Sequence, residues 1–248
     1  ASIIMFPQKY FIMAPLYQWM NSWNSVSDFS NIANHEEVTN QQNLFIKEKK
    51  GTYYYDIHGK LIEQIDSDEY KRYIVMDAPN ENGNGGKYHI TIPNKATIAR
   101  MKKIGKDMPK CEKGIAVATD GSCSAKDAIG NKEKITSTQW EGSLKELLNK
   151  GKTIAYLIHS HPVQIDLTPV IIGSEKPSEI DLEAQFFENQ VGAIISWQNV
   201  FNKPVQGYSH DKNDYIAYIS FYSKNSKIDD SVLMHMSLWD FENKFGNL

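Results

Sequence analysis

The chain is poor in cysteine and contains no long apolar run. Two cysteines, Cys111 and Cys123, are too few for a disulfide framework or a cysteine-based zinc module, so any metal site must use histidine and carboxylate ligands. No uninterrupted apolar run approaches the roughly 18 residues of a membrane span. No basic segment leads into an apolar run typical of a signal peptide. We therefore expect a soluble protein and leave its compartment open.

The chain also lacks a charge bias. Its 27 basic and 30 acidic residues give a net charge of -3, and no block of like charge stands out. This balance provides no electrostatic argument for binding nucleic acid or an anionic membrane. We expect no nucleic-acid partner, and other partners have to be inferred from local motifs.

Turn signals divide the chain into two regions. Residues 44–78 carry short β-rich runs separated by turns, which predicts a small antiparallel meander within an N-terminal accessory region, 1–86. The glycine- and asparagine-rich stretch 79–87 is the expected boundary. Residues 87–248 mix strand and helix patterns, which indicates an α/β or α+β fold with a mixed sheet flanked by helices.

Individual elements of the second region can be predicted from hydrophobic patterning. Strands are expected at KYHITIP, EKGIAVATDG, TIAYLIHSH, VGAIISW and YIAYISFY. Helical spacing, with Asn94 as a cap, predicts a helix over NKATIARMKKIGKDM, and a second helix is expected near SLKELLNK. The C-terminal segment VLMHMSLWDFENKF is amphipathic.

Two histidines stand at the end of the predicted strand TIAYLIHSH. His159 and His161 are two positions apart, so an extended strand points both side chains to the same face. Pro162 has no backbone N–H to donate to a neighbouring strand, so it predicts that the strand ends here. The two histidines therefore lie at the end of the strand. Catalytic zinc needs about three protein ligands and keeps one position open. The two converging imidazoles can supply two of those ligands. Each histidine alone also fits a packed or solvated strand end.

The third ligand is expected in the segment PSEIDLEAQFF. Asp181 falls in the first turn of a helix that Ser178 can cap. Ile180, Ala184 and Phe187 form an apolar stripe that would bury this helix against the sheet. Ser178 and Asp181 also fit an ordinary capping box, so this segment alone does not require a metal.

The order of these motifs resembles the metal-binding signature of the JAMM metallopeptidases, the JAB1/MPN family: His-Ser-His-Pro on a strand, a loop, then Ser-x-x-Asp on a helix. The resemblance spans about residues 87–200 and implies a JAB1/MPN-like, cytidine-deaminase-like core. The family has seven residues between the two motifs, whereas residues 163–177 number fifteen. Doubling a loop costs only about 0.6 kcal/mol in closure entropy, so the ligands could still converge. The longer loop could form a lid or contact the substrate.

The resemblance implies a Zn²⁺ ion bound by His159, His161 and Asp181, and hydrolysis of a peptide or isopeptide bond. Ser178 would hydrogen-bond the tetrahedral oxyanion or the attacking water.

The family also has an upstream glutamate that acts as general base and then acid, and the element order assigns this role to Glu112. Glu112 equally fits a solvated charge at a strand start. Glu133 and Glu141 are the reserve candidates if Glu112 points elsewhere.

The two regions together also resemble the C-terminal toxin regions of bacterial polymorphic secretion systems. This resemblance implies a secreted or delivered effector, with an immunity or carrier protein as a partner. The substrate would be a protein or peptide, with ubiquitin-like proteins among the candidates, and a deubiquitinase-like or sulfur-carrier-processing peptidase is a second setting.

Two other classes of function remain open. One is a non-catalytic MPN-like binding or scaffold protein, in which the aromatic-rich N-terminal part and the tyrosines at 53–55 form a contact surface. The other is a nuclease or another metal hydrolase that uses His-x-His, for which the sequence lacks clustered carboxylates and a basic groove.

Overall fold

The fold is described from a computed structural model over residues 50–77, 87–168, 170–183, 191–200, 210–223 and 231–248. These residues all fall within one unit of the chain, Glu48–Leu248. Within the described ranges the chain forms two mixed sheets and four α-helices. The prediction of a mixed α/β fold is confirmed at this level.

The first sheet has four strands in the order β2–β1–β3–β4. The strands are β1 (Gly51–Tyr55), β2 (Leu61–Ile65), β3 (Tyr70–Asp77) and β4 (Lys87–Thr91). β2 pairs antiparallel with β1, but β3 pairs parallel with β1 on its other side. The antiparallel meander expected in residues 44–78 is therefore wrong for the described strands. Turn signals locate strand ends but not strand neighbours, and here Tyr54 of β1 stacks on Tyr73 of β3 at 5.7 Å between ring centroids.

The predicted domain boundary falls between β3 and β4. These two strands pair antiparallel from Tyr73↔Thr91 to Asp77↔Lys87, so β4, expected to open the second region, lies in the first sheet. Residues 78–86 between them and residues 1–49 lie outside the described part of the chain. The division into an accessory region and a second domain stays a prediction.

The second sheet positions the candidate site. Its strands are β5 (Lys113–Ala118), β6 (Ala128–Ile129), β7 (Ile154–Ser160), β8 (Val191–Asn199), β9 (Tyr215–Ser223) and β10 (Val232–Ser237). They lie in the order β10–β9–β8–β7–β5–β6. β7 and β8 are parallel, and the other neighbouring pairs are antiparallel. β7 is therefore an interior strand, which fixes the direction of its side chains.

The described helices pack on both faces of this sheet. They are α1 (Lys95–Asp107), α2 (Ser137–Asn149), α3 (Glu179–Glu183) and α4 (Leu238–Phe245). α1 begins as predicted, because the Asn94 side chain accepts a hydrogen bond from the Thr97 N–H at 2.9 Å. The predicted C-terminal amphipathic segment divides into β10 and α4 because the Ser237 hydroxyl caps the helix by accepting from the Asp240 N–H. None of the described helices is long and apolar enough to span a membrane.

Alternation along β7 separates two environments. Tyr156 meets Phe221 edge to face, and Phe221 stacks on Phe241 of α4, so this face of the sheet forms an apolar core. His159 points to the opposite face, where its register partner Gly114 lies directly against Trp140 of α2. The candidate site is therefore on the face that α2 covers.

Candidate metal centre

Both histidines of the motif lie buried at the end of β7. His159 and His161 are 6% and 9% exposed. The His161 N–H donates to the Ile195 carbonyl oxygen at 2.9 Å, which extends the pairing with β8 one residue beyond the strand. Between them Ser160 faces the other side, and its hydroxyl accepts from the Lys113 N–H at 3.0 Å. This contact ties β7 to β5 and holds the two imidazoles on one face.

Asp181 is brought to the histidines by the first turn of α3. Its Oδ2 accepts hydrogen bonds from both the N–H and the hydroxyl of Ser178 at 2.7 Å, and its own N–H donates to the Ser178 oxygen at 3.2 Å. The predicted capping arrangement is thus present, and it also fixes the carboxylate. Ile180 is 46% exposed, so it does not bury the helix as expected. Ala184 and Phe187, the rest of the predicted stripe, lie outside the described residues.

The ligand atoms converge closely. His159 Nε2 lies 3.1 Å from His161 Nε2 and 3.1 Å from Asp181 Oδ1, and His161 Nε2 lies 3.2 Å from Asp181 Oδ2. Tetrahedral zinc with bonds of about 2.0–2.1 Å separates its ligand atoms by roughly 3.3–3.4 Å. The spacing of the two histidine nitrogens differs from that value by only a few tenths of an ångström, and each ring contacts a different oxygen of Asp181. Within the described part of the chain, these residues are the one group of three that could hold a metal ion.

The electrostatics of the cluster favour a positive charge at its centre. Burial alone would raise the pKa of Asp181, but the adjacent His159 and His161 rings outweigh burial and hold that pKa well below its usual range. Burial acts to lower the pKa of His159, whereas Asp181 and, more weakly, Glu112 raise it above its ordinary value. Two imidazole nitrogens and a carboxylate at this distance need a proton or a cation between them.

Glu112 lies just before β5 and is 4% exposed, so it is not the solvated charge that its position in the sequence also allowed. Its backbone N–H donates to the Asn131 carbonyl at 2.7 Å, and its own carbonyl accepts from the Gly130 N–H at 2.9 Å. Burial raises the pKa of its carboxyl, although His159 and His161 act against this and the Ile135 N–H donates to the carboxylate. A buried carboxyl with a raised pKa is suited to accept and return a proton.

The two reserve glutamates lie elsewhere. Glu133 is exposed, and Glu141 pairs with Lys145 on the outer surface of α2. Glu112, His159 and Asp181 instead line a common pocket.

The walls of this pocket include residues that the sequence did not single out. They are Lys134, Ile135, Trp140, Leu157, Val191 and Tyr222, and they stand beside Ile180 of the predicted stripe. Most of this lining is apolar, and Lys134 is the one cation among the lining residues of the described chain. The apolar character of these segments predicts burial but not a shared cavity, because the residues come from separate elements.

Comparison of the chain with family models, curated proteins and solved structures finds no match. A family assignment therefore depends on the motif residues and their geometry.

Proposed function

We propose that this chain is a JAMM-like zinc metallopeptidase with a JAB1/MPN-like core, which hydrolyses a peptide or isopeptide bond. One observation carries the proposal: two histidines and an aspartate converge at 3.1–3.2 Å beside the buried Glu112. The order of the motif residues along the chain supports the family, and the apolar pocket supports a substrate with an apolar side chain near the cleaved bond.

The donor set fits zinc better than the hard cations. His159, His161 and Asp181 offer two nitrogens and one carboxylate, whereas calcium and magnesium prefer oxygen ligands throughout. Three protein ligands also match a catalytic zinc site, which keeps a position open, and not a closed structural one. When bound, zinc would supply Lewis acidity, polarising the substrate carbonyl and making a water molecule more acidic.

Glu112 would handle the proton. As the water oxygen forms its bond to the amide carbon, the Glu112 carboxylate would accept the proton that the water loses. As the C–N bond breaks, the same carboxyl would return the proton to the leaving amine nitrogen. Burial raises the pKa of this carboxyl toward neutral pH, so the group can both accept a proton in the first step and release it in the second.

Ser178 would first hold the ligand Asp181, since its hydroxyl donates to Oδ2 of that carboxylate. The oxyanion contact implied by the family resemblance requires this hydroxyl to change its acceptor. Ser178→Ala separates the two roles. Loss of the hydrogen bond to Asp181 should lower the metal affinity, whereas loss of the oxyanion contact should lower the turnover rate of the zinc-saturated protein.

The proposal is tested by metal analysis combined with peptide digestion. Purified protein should contain about one zinc per chain. The zinc-loaded protein should generate new termini in a mixture of peptides and isopeptide-linked conjugates, read by mass spectrometry. Cleavage should be lost in Glu112→Gln, while Glu133→Gln, an exposed glutamate in the same region, should behave as wild type.

Other results would redirect the assignment. A protein that binds no zinc under any loading condition would overturn the enzyme and favour the scaffold class. Because two histidines and one carboxylate also bind Fe²⁺ in oxygenases, the metal analysis has to quantify iron as well. Cleavage of a nucleic-acid substrate, with none of peptides, would favour the nuclease class.

A further inference from the structure

The loop between the two motifs makes a direct contact with a proposed ligand. The Nδ1 atom of His161 lies 2.7 Å from the carbonyl oxygen of Ser174. A carbonyl oxygen can only accept, so this contact requires a proton on Nδ1 of His161. In the neutral ring, the lone pair is then on Nε2, the atom that faces His159 and Asp181.

Gly173 makes this approach possible. A Cβ atom built at Gly173 would lie 2.1 Å from the carbonyl oxygen and 2.5 Å from the carbonyl carbon of His161. Both atoms belong to the backbone, so no side-chain rotation could relieve the clash. The loop therefore runs directly against the backbone of His161, and the next residue places its carbonyl at the ring of the same histidine.

The rest of the loop is fastened on both sides of this contact. Val163 and Val170 are buried in the main apolar core. Gln164 and Ile171, the residues that follow these two valines, exchange backbone hydrogen bonds of 2.8 and 3.3 Å, which close the loop on itself. Residue 169 lies outside the described residues.

Beyond the contact, Glu175 fastens the loop to the sheet. The Gln198 side chain of β8 donates to the Glu175 carboxylate at 2.7 Å, and His235 Nε2 of β10 lies 3.6 Å from it. His235 is in turn held by the Ser220 hydroxyl, 2.8 Å from its Nδ1. The loop is thus packed into the core on one side of Ser174 and hydrogen-bonded to β8 on the other.

We propose that this loop is a fixed positioning element, in which Gly173 and Ser174 set the tautomer and direction of His161 so that Nε2 faces the metal site. The eight residues beyond the family spacing therefore do not form a movable lid. Outer partners of this kind orient metal-binding histidines and commonly contribute 10–100-fold to metal affinity. The inference rests on the proposed function only in assigning Nε2 to a metal.

The first test uses the unaltered protein. Long-range ¹H–¹⁵N spectra of histidine-labelled protein, at about pH 9 where a free histidine with a pKa of about 6.5 is neutral, report which ring nitrogen carries the proton. We expect the His161 proton on Nδ1, protected from solvent exchange, in the chelator-treated and zinc-loaded forms. A proton on Nε2, or zinc bound through Nδ1, would overturn the inference.

The second test uses Gly173→Ala with Gly142→Ala as its matched control. Gly142 lies in α2, and a Cβ there meets no atom within 4 Å. We expect Gly173→Ala to bind zinc about 10–100-fold more weakly in competition with a chelator, and Gly142→Ala to bind like wild type. A folded Gly173→Ala protein with wild-type affinity would contradict the positioning role. If that variant does not fold, the ring spectra of the unaltered protein decide alone.

The two proposals fail in different ways. If zinc never binds, the proposed function fails. The position of the His161 ring proton in the metal-free protein still tests whether the loop sets its tautomer. If zinc binds and peptides are cleaved but His161 coordinates through Nδ1, the positioning inference alone fails.

Discussion

Replacement of Glu112 by glutamine should lower activity and raise stability at the same time. Glutamine has nearly the same shape but cannot accept the proton of the attacking water. General acid–base groups contribute about 10²–10⁴-fold, so we expect a loss of that size in the turnover rate, which corresponds to about 3–5 kcal/mol. Zinc content should stay at the wild-type level, because Glu112 is not among the three ligands.

The stability effect follows from the raised pKa of Glu112. Burial favours the protonated carboxyl in the folded state, so the folded chain keeps this proton at pH values above the ordinary pKa of 4.5. As pH rises from 4.5 through the folded pKa, the wild type loses stability because a buried charge forms without water around it. Glutamine carries no charge, so the metal-free Glu112→Gln protein should melt at a higher temperature at pH 8, and the gap should close near pH 4.

The assay compares melting temperatures of chelator-treated wild type, Glu112→Gln and Glu133→Gln across this pH range. In a domain of this size, about 1 kcal/mol shifts the melting temperature by roughly 2–4 °C. Glu133→Gln should follow the wild type, because Glu133 is exposed. A Glu112→Gln protein that is less stable than wild type at pH 8, or that cleaves substrate at the wild-type rate, would refute the reasoning.

Three further predictions concern the metal and the pocket wall. His159→Ala and Asp181→Ala should each reduce the zinc content from about one per chain to none in elemental analysis. His58→Ala, which changes an exposed histidine, should retain the zinc. Zinc retained by the first two variants would contradict the ligand set. Zinc at about a thousand times its dissociation constant should stabilise the fold by about 4 kcal/mol. The melting temperature should then rise by roughly 8–16 °C, and a chelator should reverse the rise. An unchanged melting temperature would argue against a zinc site in the folded protein. Gly114→Ala would place a Cβ atom 2.2 Å from the Trp140 ring and should cost about 1–3 kcal/mol in urea unfolding, so wild-type stability would show that this wall is not packed.

The burial of Glu112, and with it the raised pKa of its carboxyl, could not be predicted from the sequence, although the resemblance placed the proton-transfer role there. Its neighbours Lys110 and Lys113 suggest an exposed position, and local pattern alone allowed a solvated charge. Burial comes from partners distant in the chain, including the Ile135 N–H and the backbone around Asn131. The charge state of a carboxyl depends on these surroundings, which no local rule contains.

Local chemistry in the sequence determined most of the elements. The apolar runs predicted β5, β7, β8 and β9, and Asn94 predicted the start of α1, because strand alternation and capping involve residues only a few positions apart. The spacing of His159 and His161 placed both rings on one face for the same reason. The residue types at these positions and at Asp181 were sufficient to suggest a metal site.

Only the tertiary structure decided which strands are neighbours and what surrounds the histidines. The parallel pairing of β1 with β3 depends on side chains packing across strands, not on turn signals. From the sequence, the loop of residues 163–177 is eight residues longer than the family spacing, and a lid and a substrate contact were both open as its role. In the fold, its backbone passes against His161 and presents the Ser174 carbonyl to the ring. A backbone carbonyl is the same in every residue, so its role is set by where the chain passes, which the fold alone determines.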